Sequence, residues 1–240
     1  MAARIDEIAP DVYRISLFSA EAGMQFNHFL ILDEEPLLYH AGYKAAFPVV
    51  MEAVGKLINP SSLRWVGFSH FESDECGALN EWLAVAPQAK AVTGIVGAMV
   101  NVNDFALRPA HILQDKEILD IGKKKLRYLR TPHVPHGWDA GLFFEETDKT
   151  LFTSDLFHQN GDVEALTSSS LSDRCSELLQ EMQQSPFSDY IPYSPHVDKI
   201  LRELADYAPS VLAVMHGSSY SGDGRNAIHE LAGVWKEVLG

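Results

Sequence analysis

Positive charge, cysteine and long apolar runs are what this chain is short of. Nineteen Lys and Arg stand against 33 Asp and Glu, a formal net charge of −14. A surface so poor in cations repels phosphate backbones and anionic lipid, so neither nucleic acid nor a membrane is an expected partner. The two cysteines, Cys76 and Cys175, form no C-x-x-C pair, which argues against a disulfide scaffold or a thiolate metal site. No stretch of roughly 18 apolar residues occurs, and residues 1–10 lack the apolar core of a secretory signal. The expectation is a cytoplasmic, reduced protein. No repeat, low-complexity block or linker divides the chain.

What is present is enough apolar material for a large core. Hydrophobic residues make up 46% of 240, which suits one α/β domain spanning residues 1–240. Strand-like runs fall at 12–18, 26–32 and 36–39, the last two joined by the acidic turn 33–35. Residues 47–58 read as a helix stopped by Asn59-Pro60. Then come a short buried strand at 63–68, a helix at 76–85, a strand at 90–93 and a short helix at 95–100. Residues 123–129 read as a strand, and 141–145 with 150–153 as a hairpin. After an irregular stretch, 172–184 and 195–207 read as helices, each with a preceding serine as N-cap. A strand at 211–215 and a helix at 225–239 close the chain. Strands first, then alternating helices and strands, in two similar halves, imply two sheets packed face to face with helices outside.

The chemistry concentrates at strand ends. The run 63–68 opens into Ser69-His70-Phe71-Glu72-Ser73-Asp74-Glu75-Cys76. In an extended loop alternate side chains point the same way, so His70, Glu72 and Asp74 can converge, and Glu75 can reach a second ion. Three more strands deliver a ligand-type residue at the same end: 123–129 leads to His133 and His136, 150–153 to Asp155, and 211–215 to His216. A solvated acidic loop, an aspartate capping a turn or a packed histidine would explain any one of these. Four together are hard to attribute to core packing.

These segments resemble the metallo-β-lactamase superfamily across nearly the whole chain, which implies a four-layer αββα sandwich. The usual hydrolase motif H-x-H-x-D-H here reads His70-x-Glu72-x-Asp74-Glu75. Glutamate at the second position marks the flavodiiron branch. Asn27-His28-Phe29-Leu30, His136-Gly-Trp-Asp139, Ser154-Asp155-Leu-Phe157 and Met215-His216-Gly217 are similar to that branch as well. The resemblance implies that His70, Glu72 and His136 bind one iron, Asp74 and His216 the other, and Asp155 bridges both. It prefers His136 over the competing His133, because Asp139 follows at the family spacing. Glu75 stands where the family has histidine, and it is retained as a metal ligand with its role open. His28, His133, Trp138 and His158 are expected close behind the ligands.

Hard carboxylates mixed with imidazoles suit iron, or manganese, better than thiolate-rich sites do, and zinc is the hydrolytic alternative. Flavodiiron proteins also carry a flavodoxin domain, and Gly222-Asp223-Gly224 is too short to cradle a flavin phosphate. No FMN site is therefore expected. The resemblance implies a stand-alone di-iron protein that binds and reduces dioxygen or nitric oxide, takes electrons from another protein and pairs as a homodimer. Two other functions fit the same ligands. One is a dimetal hydrolase of an ester, thioester or phosphodiester. The other is a non-catalytic oxygen sensor with a signalling partner.

Overall fold

Fourteen strands make two seven-stranded sheets in this computed structural model, which describes residues 2–240. The first sheet runs in chain order: β1 (Arg4–Ala9), β2 (Val12–Ser19), β3 (Met24–Ile31), β4 (Leu37–Tyr39), β5 (Trp65–Gly67), β6 (Lys90–Gly94) and β7 (His111–Leu113). Its first four strands are antiparallel, because short turns join them. From β4 onward pairing is parallel. The crossovers carry α1 (Phe47–Gly55), α2 (Ser73–Cys76), α3 (Leu79–Val85), α4 (Ile95–Gly97), a five-residue π turn and α5 (Asn103–Phe105).

The second sheet contains β8 (Ile118–Asp120), β9 (Lys125–Arg130), β10 (Gly141–Glu145), β11 (Thr150–Ser154), β12 (Leu166–Thr167), β13 (Val211–Val214) and β14 (Ser219–Ser221), ordered β12-β14-β13-β11-β10-β9-β8. Its helices are α6 (Ser172–Gln183), α7 (Val197–Asp206) and α8 (Gly224–Leu239). The crossover from β11 to β13 carries α6 and α7, and those two strands pair in parallel.

Three apolar clusters define the layers. Phe29, Tyr39, Phe143 and Phe152 meet between the sheets. Val50, Val54, Leu79 and Trp82 cover the first sheet, and Leu179, Leu201, Ile228 and Trp235 cover the second. Each sheet is thus buried on both faces, which is why its strands read as apolar runs rather than alternations. The result is the expected αββα sandwich. Among the described residues no helix is long and apolar enough to cross a membrane.

Several local expectations are corrected. The helix expected over 76–85 is two, because the Ala78 N–H leaves the helical ladder to donate to Gly42 O at 2.7 Å. The helix expected over 47–58 stops at Gly55. The N-cap positions are held by Leu171 and His196, whose side chains make no cap bond, while the hydroxyls of Ser170 and Ser194 just before them accept from Ser172 N–H at 3.2 Å and His196 N–H at 3.3 Å. Ser172 lies inside its first turn, where its hydroxyl contacts Ser170 and Glu230. Strands β1, β7, β8, β12 and β14 were not expected. All but the six-residue β1 have two or three residues, and neighbouring strands rather than their own patterns impose them.

Candidate metal centre

Four strand exits open at one place. β5 is followed by residues 68–75, β9 by the loop 131–140, β11 by 155–159 and β13 by 215–218. Backbone ties lock these loops together. Gly141 N–H donates to Ser69 O, Asn27 N–H to Met215 O, and Gln159 N–H to His216 O. The buried Asp139 carboxylate accepts from Phe71 N–H at 3.1 Å and from Asn101 Nδ2 at 3.3 Å. Gly137 has φ +77, and a Cβ there would sit 3.3 Å from His70 Cβ. This loop therefore needs glycine to pass the first imidazole.

Donor atoms of His70, Glu72, His136 and Asp155 all lie within 4.8 Å of one another. His70 Nε2 is 3.0 Å from Glu72 Oε2 and 3.5 Å from Asp155 Oδ2. His136 Nε2 is 2.8 Å from Asp155 Oδ2 and 3.4 Å from Glu72 Oε2. The other oxygen of Asp155 faces a different group: Oδ1 is 3.2 Å from His216 Nε2, which is 3.4 Å from Asp74 Oδ2. One carboxylate thus sits between two donor sets. Ligands about 2.1 Å from a shared ion at right angles lie about 3 Å apart, which is the spacing here.

Two further observations fit a pair of cations. Asp74 Oδ1 and Asp155 Oδ1 are buried and accept no hydrogen bond, although buried polar atoms nearly always find a partner. The metal-free cluster also clings to protons in place of ions. Burial opposes a charge on His70, yet the carboxylates of Glu75, Glu72 and Asp155 push it up to about 10. His216 is likewise raised to about 10 against burial, by Asp155 and Asp74. Burial alone would raise Asp155, but the imidazoles of His136, His216 and His70 hold it well below the usual carboxylate range.

Glu75 is corrected. Its carboxylate turns away from both donor sets and accepts from Ser69 N–H at 2.7 Å, His70 N–H at 3.0 Å and the Ser154 hydroxyl at 2.6 Å. Ser69 Oγ lies 2.7 Å from His70 Nδ1 and 2.8 Å from both Glu75 oxygens. The chain His70 Nδ1–Ser69–Glu75 aims the opposite nitrogen, Nε2, at the site, as outer carboxylates do for metal-bound histidines. On its far side Glu75 Oε1 is 3.5 Å from His40 Nε2. Burial works against its charge, and the imidazoles of His40 and His70 hold its pKa below the ordinary value. Glu75→Leu is expected to destabilise the metal-free protein by about 3–5 kcal/mol in denaturant titration, since it strands two amides and two imidazoles.

The two histidines of the loop after β9 take different positions. His136 turns into the cluster, its ring 4.1 Å from that of His70. His133 has φ +64, donates its N–H to Gly137 O and is exposed. Trp138 is 57% exposed. Neither His133 nor Trp138 lies behind the ligands as expected, because the loop curls outward on both sides of His136. His158 does approach: its ring is 4.4 Å from that of His216, and Nδ1 is 3.2 Å from the Tyr190 hydroxyl. Burial drives His158 well below the usual histidine value.

Tyr190 escaped the sequence reading. It lies between α6 and α7, its ring 5.0 Å from His136. Burial first, then the charges of Asp155, Glu72 and Asp74, raise its pKa well above the ordinary tyrosine value. No local signal marks a lone tyrosine in an irregular segment, and only the tertiary fold brings it to the site.

Two seven-stranded sheets covered by helices, with a histidine–carboxylate cluster at one end of the strands, define a metallo-β-lactamase-type fold. A family model described as ODP family beta lactamase matches residues 24–217, and the chain belongs to that family. It is 25% identical over 213 residues to flavo-diiron protein FprA2 of Clostridium acetobutylicum, covering 87% of this chain and 52% of that protein. It is 24% identical over 214 residues to the anaerobic nitric oxide reductase flavorubredoxin of Pectobacterium atrosepticum, covering 86% and 41%. Thus the chain spans about half the length of these curated relatives. The rubredoxin oxygen:oxidoreductase of Desulfovibrio gigas superposes with a TM-score of 0.82 at 19% identity, over 96% of this chain and 61% of that one. A fragment of diflavin flavoprotein A 5 from Nostoc sp. gives 0.82 at 18% identity, over 98% and 96%. The fold is that of a flavodiiron core.

Proposed function

We propose that this chain is a di-iron protein that binds and reduces dioxygen or nitric oxide, with electrons supplied by a separate protein. His70, Glu72 and His136 hold one iron, Asp74 and His216 the other, and Asp155 bridges them. The observation that carries this reading is the position of Asp155, one oxygen toward each donor set. Three carboxylates among six ligands favour a hard, redox-active ion over zinc. Two relatives of the same fold are named for reducing nitric oxide and oxygen.

When bound, the two ferrous ions supply electrons and open coordination positions for a diatomic ligand. The protein supplies proton control. Tyr190 stays protonated through burial and nearby carboxylates, so its hydroxyl is a donor at the edge of the site. His158, kept neutral by burial, sits 3.2 Å away and orients that hydroxyl. The Phe26 ring packs edge-on against that of His216, their centroids 5.1 Å apart.

Anaerobic reconstitution tests the reading. Two irons per chain are expected, with a change in the visible spectrum on adding dioxygen or nitric oxide and consumption of either gas when a reductant is present. Binding of fewer than two irons, or turnover of ester or phosphodiester substrates with zinc and no response of the iron form to either gas, contradicts it.

A further inference from the structure

Displacement of Glu75 into the Ser69–Ser154 network leaves the second ion with Asp74, Asp155 and His216 as its only protein ligands. We propose that His28 supplies the missing imidazole, ligating the second ion through Nε2 in place of the histidine absent at position 75. The inference rests on the di-iron reading above.

His28 is 1% exposed, and its Nε2 has no hydrogen-bond partner. Its Nδ1 lies 3.0 Å from the backbone carbonyl of His40. A carbonyl only accepts, so Nδ1 carries the proton. In the neutral ring Nε2 then presents a bare lone pair. An imidazole whose far nitrogen donates to a backbone carbonyl is the usual arrangement of a metal-binding histidine. His216 has the same arrangement, with Nδ1 2.9 Å from Gln25 O.

Position supports the assignment. The His28 ring packs on Gly42, where an added Cβ would lie 2.4 Å from its Cε1. The amides of Ala41 and Gly42 both donate to Glu75 O. The imidazole therefore stands one peptide away from the residue it replaces. The charges that act on it include those of Asp74 and His216, the donors of the second ion. It also forms part of the wall of a cavity lined by Phe18, Phe26 and Tyr43, and Phe26 packs edge-on against His216. The His28 ring is neutral and fully buried, and Nε2 holds an unshared lone pair with no hydrogen-bond partner among the described residues, although buried polar atoms nearly always find one.

The test counts imidazole nitrogens. Protein labelled with 15N-histidine is loaded with two ferrous or cobaltous ions without oxygen, and metal–nitrogen couplings are read by pulsed magnetic resonance. Four coordinated imidazoles are expected in the wild type and three in His28→Gln. The affinity for the second ion should fall at least about tenfold in that variant, while the first ion binds as before. Added free imidazole should restore the second ion in His28→Ala. Three imidazoles in the wild type, or an undiminished count and affinity in a folded His28→Gln protein, overturns the proposal. The wild-type count needs no variant, so misfolding of a substituted protein leaves the question decidable. Failure of wild-type protein to bind two ions would instead refute the di-iron reading itself.

Discussion

Asp155→Asn is expected to abolish the dimetal site as a unit. The amide has the size of the carboxylate, so the loop after β11 should keep its shape. Yet it offers one neutral oxygen where two charged ones face separate donor sets at 2.8 and 3.2 Å. Each ion loses a ligand, and their mutual repulsion loses its compensating charge. Changes in groups that merely orient a ligand weaken metal binding by about 10–100-fold, so losing the shared ligand should cost at least about 100-fold for both ions. An anaerobic iron titration read by elemental analysis measures this. Asp74→Asn provides the contrast, since only the His216 side should weaken. Retention of one ion at wild-type affinity in Asp155→Asn would show that this carboxylate serves a single ion.

Metal uptake should be steeply pH-dependent. In the metal-free fold His70 and His216 are each raised from 6.5 to about 10, so near neutrality both carry protons that an ion must displace. Releasing two protons makes the overall two-ion binding constant rise about 100-fold per pH unit between roughly pH 6 and 9. The metal-free protein behaves oppositely. A histidine raised in the folded state contributes stability fully present below about 6.5 and lost as pH rises through about 10. Asp155 and Glu75 are depressed, so their contribution is present above the ordinary carboxylate range and lost as pH falls. The metal-free protein should therefore be most stable in mildly acidic solution, and the loaded protein in neutral to alkaline solution. Chelator competition at several pH values, paired with unfolding of the metal-free form, gives both slopes. A binding constant independent of pH would contradict the protonated imidazole–carboxylate cluster.

The layers of the fold were legible because buried strands and amphipathic helices leave periodic apolar signals. Residues 141–145 and 150–153 read as a hairpin because both runs are apolar and a polar turn separates them, and β10 and β11 do pair that way. Strands β1 and β7 were not legible. Their residues are polar or few, and their place is set by β2 and β6. Within the candidate site, strand-end position pointed to His70, Asp155 and His216 without any alignment. The environment of Glu75 was not legible, because spacing alone puts a carboxylate on a loop face. Whether it meets an ion or Ser69 and Ser154 depends on β11 arriving beside it. Tyr190 and the lone pair of His28 share that cause. Each matters through contacts with segments distant in the chain, which periodicity does not encode.

Crystals of protein purified without added metal, with anomalous diffraction recorded on both sides of the iron absorption edge, address the central claim directly. Two iron peaks about 3.5 Å apart are predicted, with Asp155 between them and one flanked by His70 and His136, the other by His216 and Asp74. A single peak, or scattering only at the zinc edge, would contradict the account.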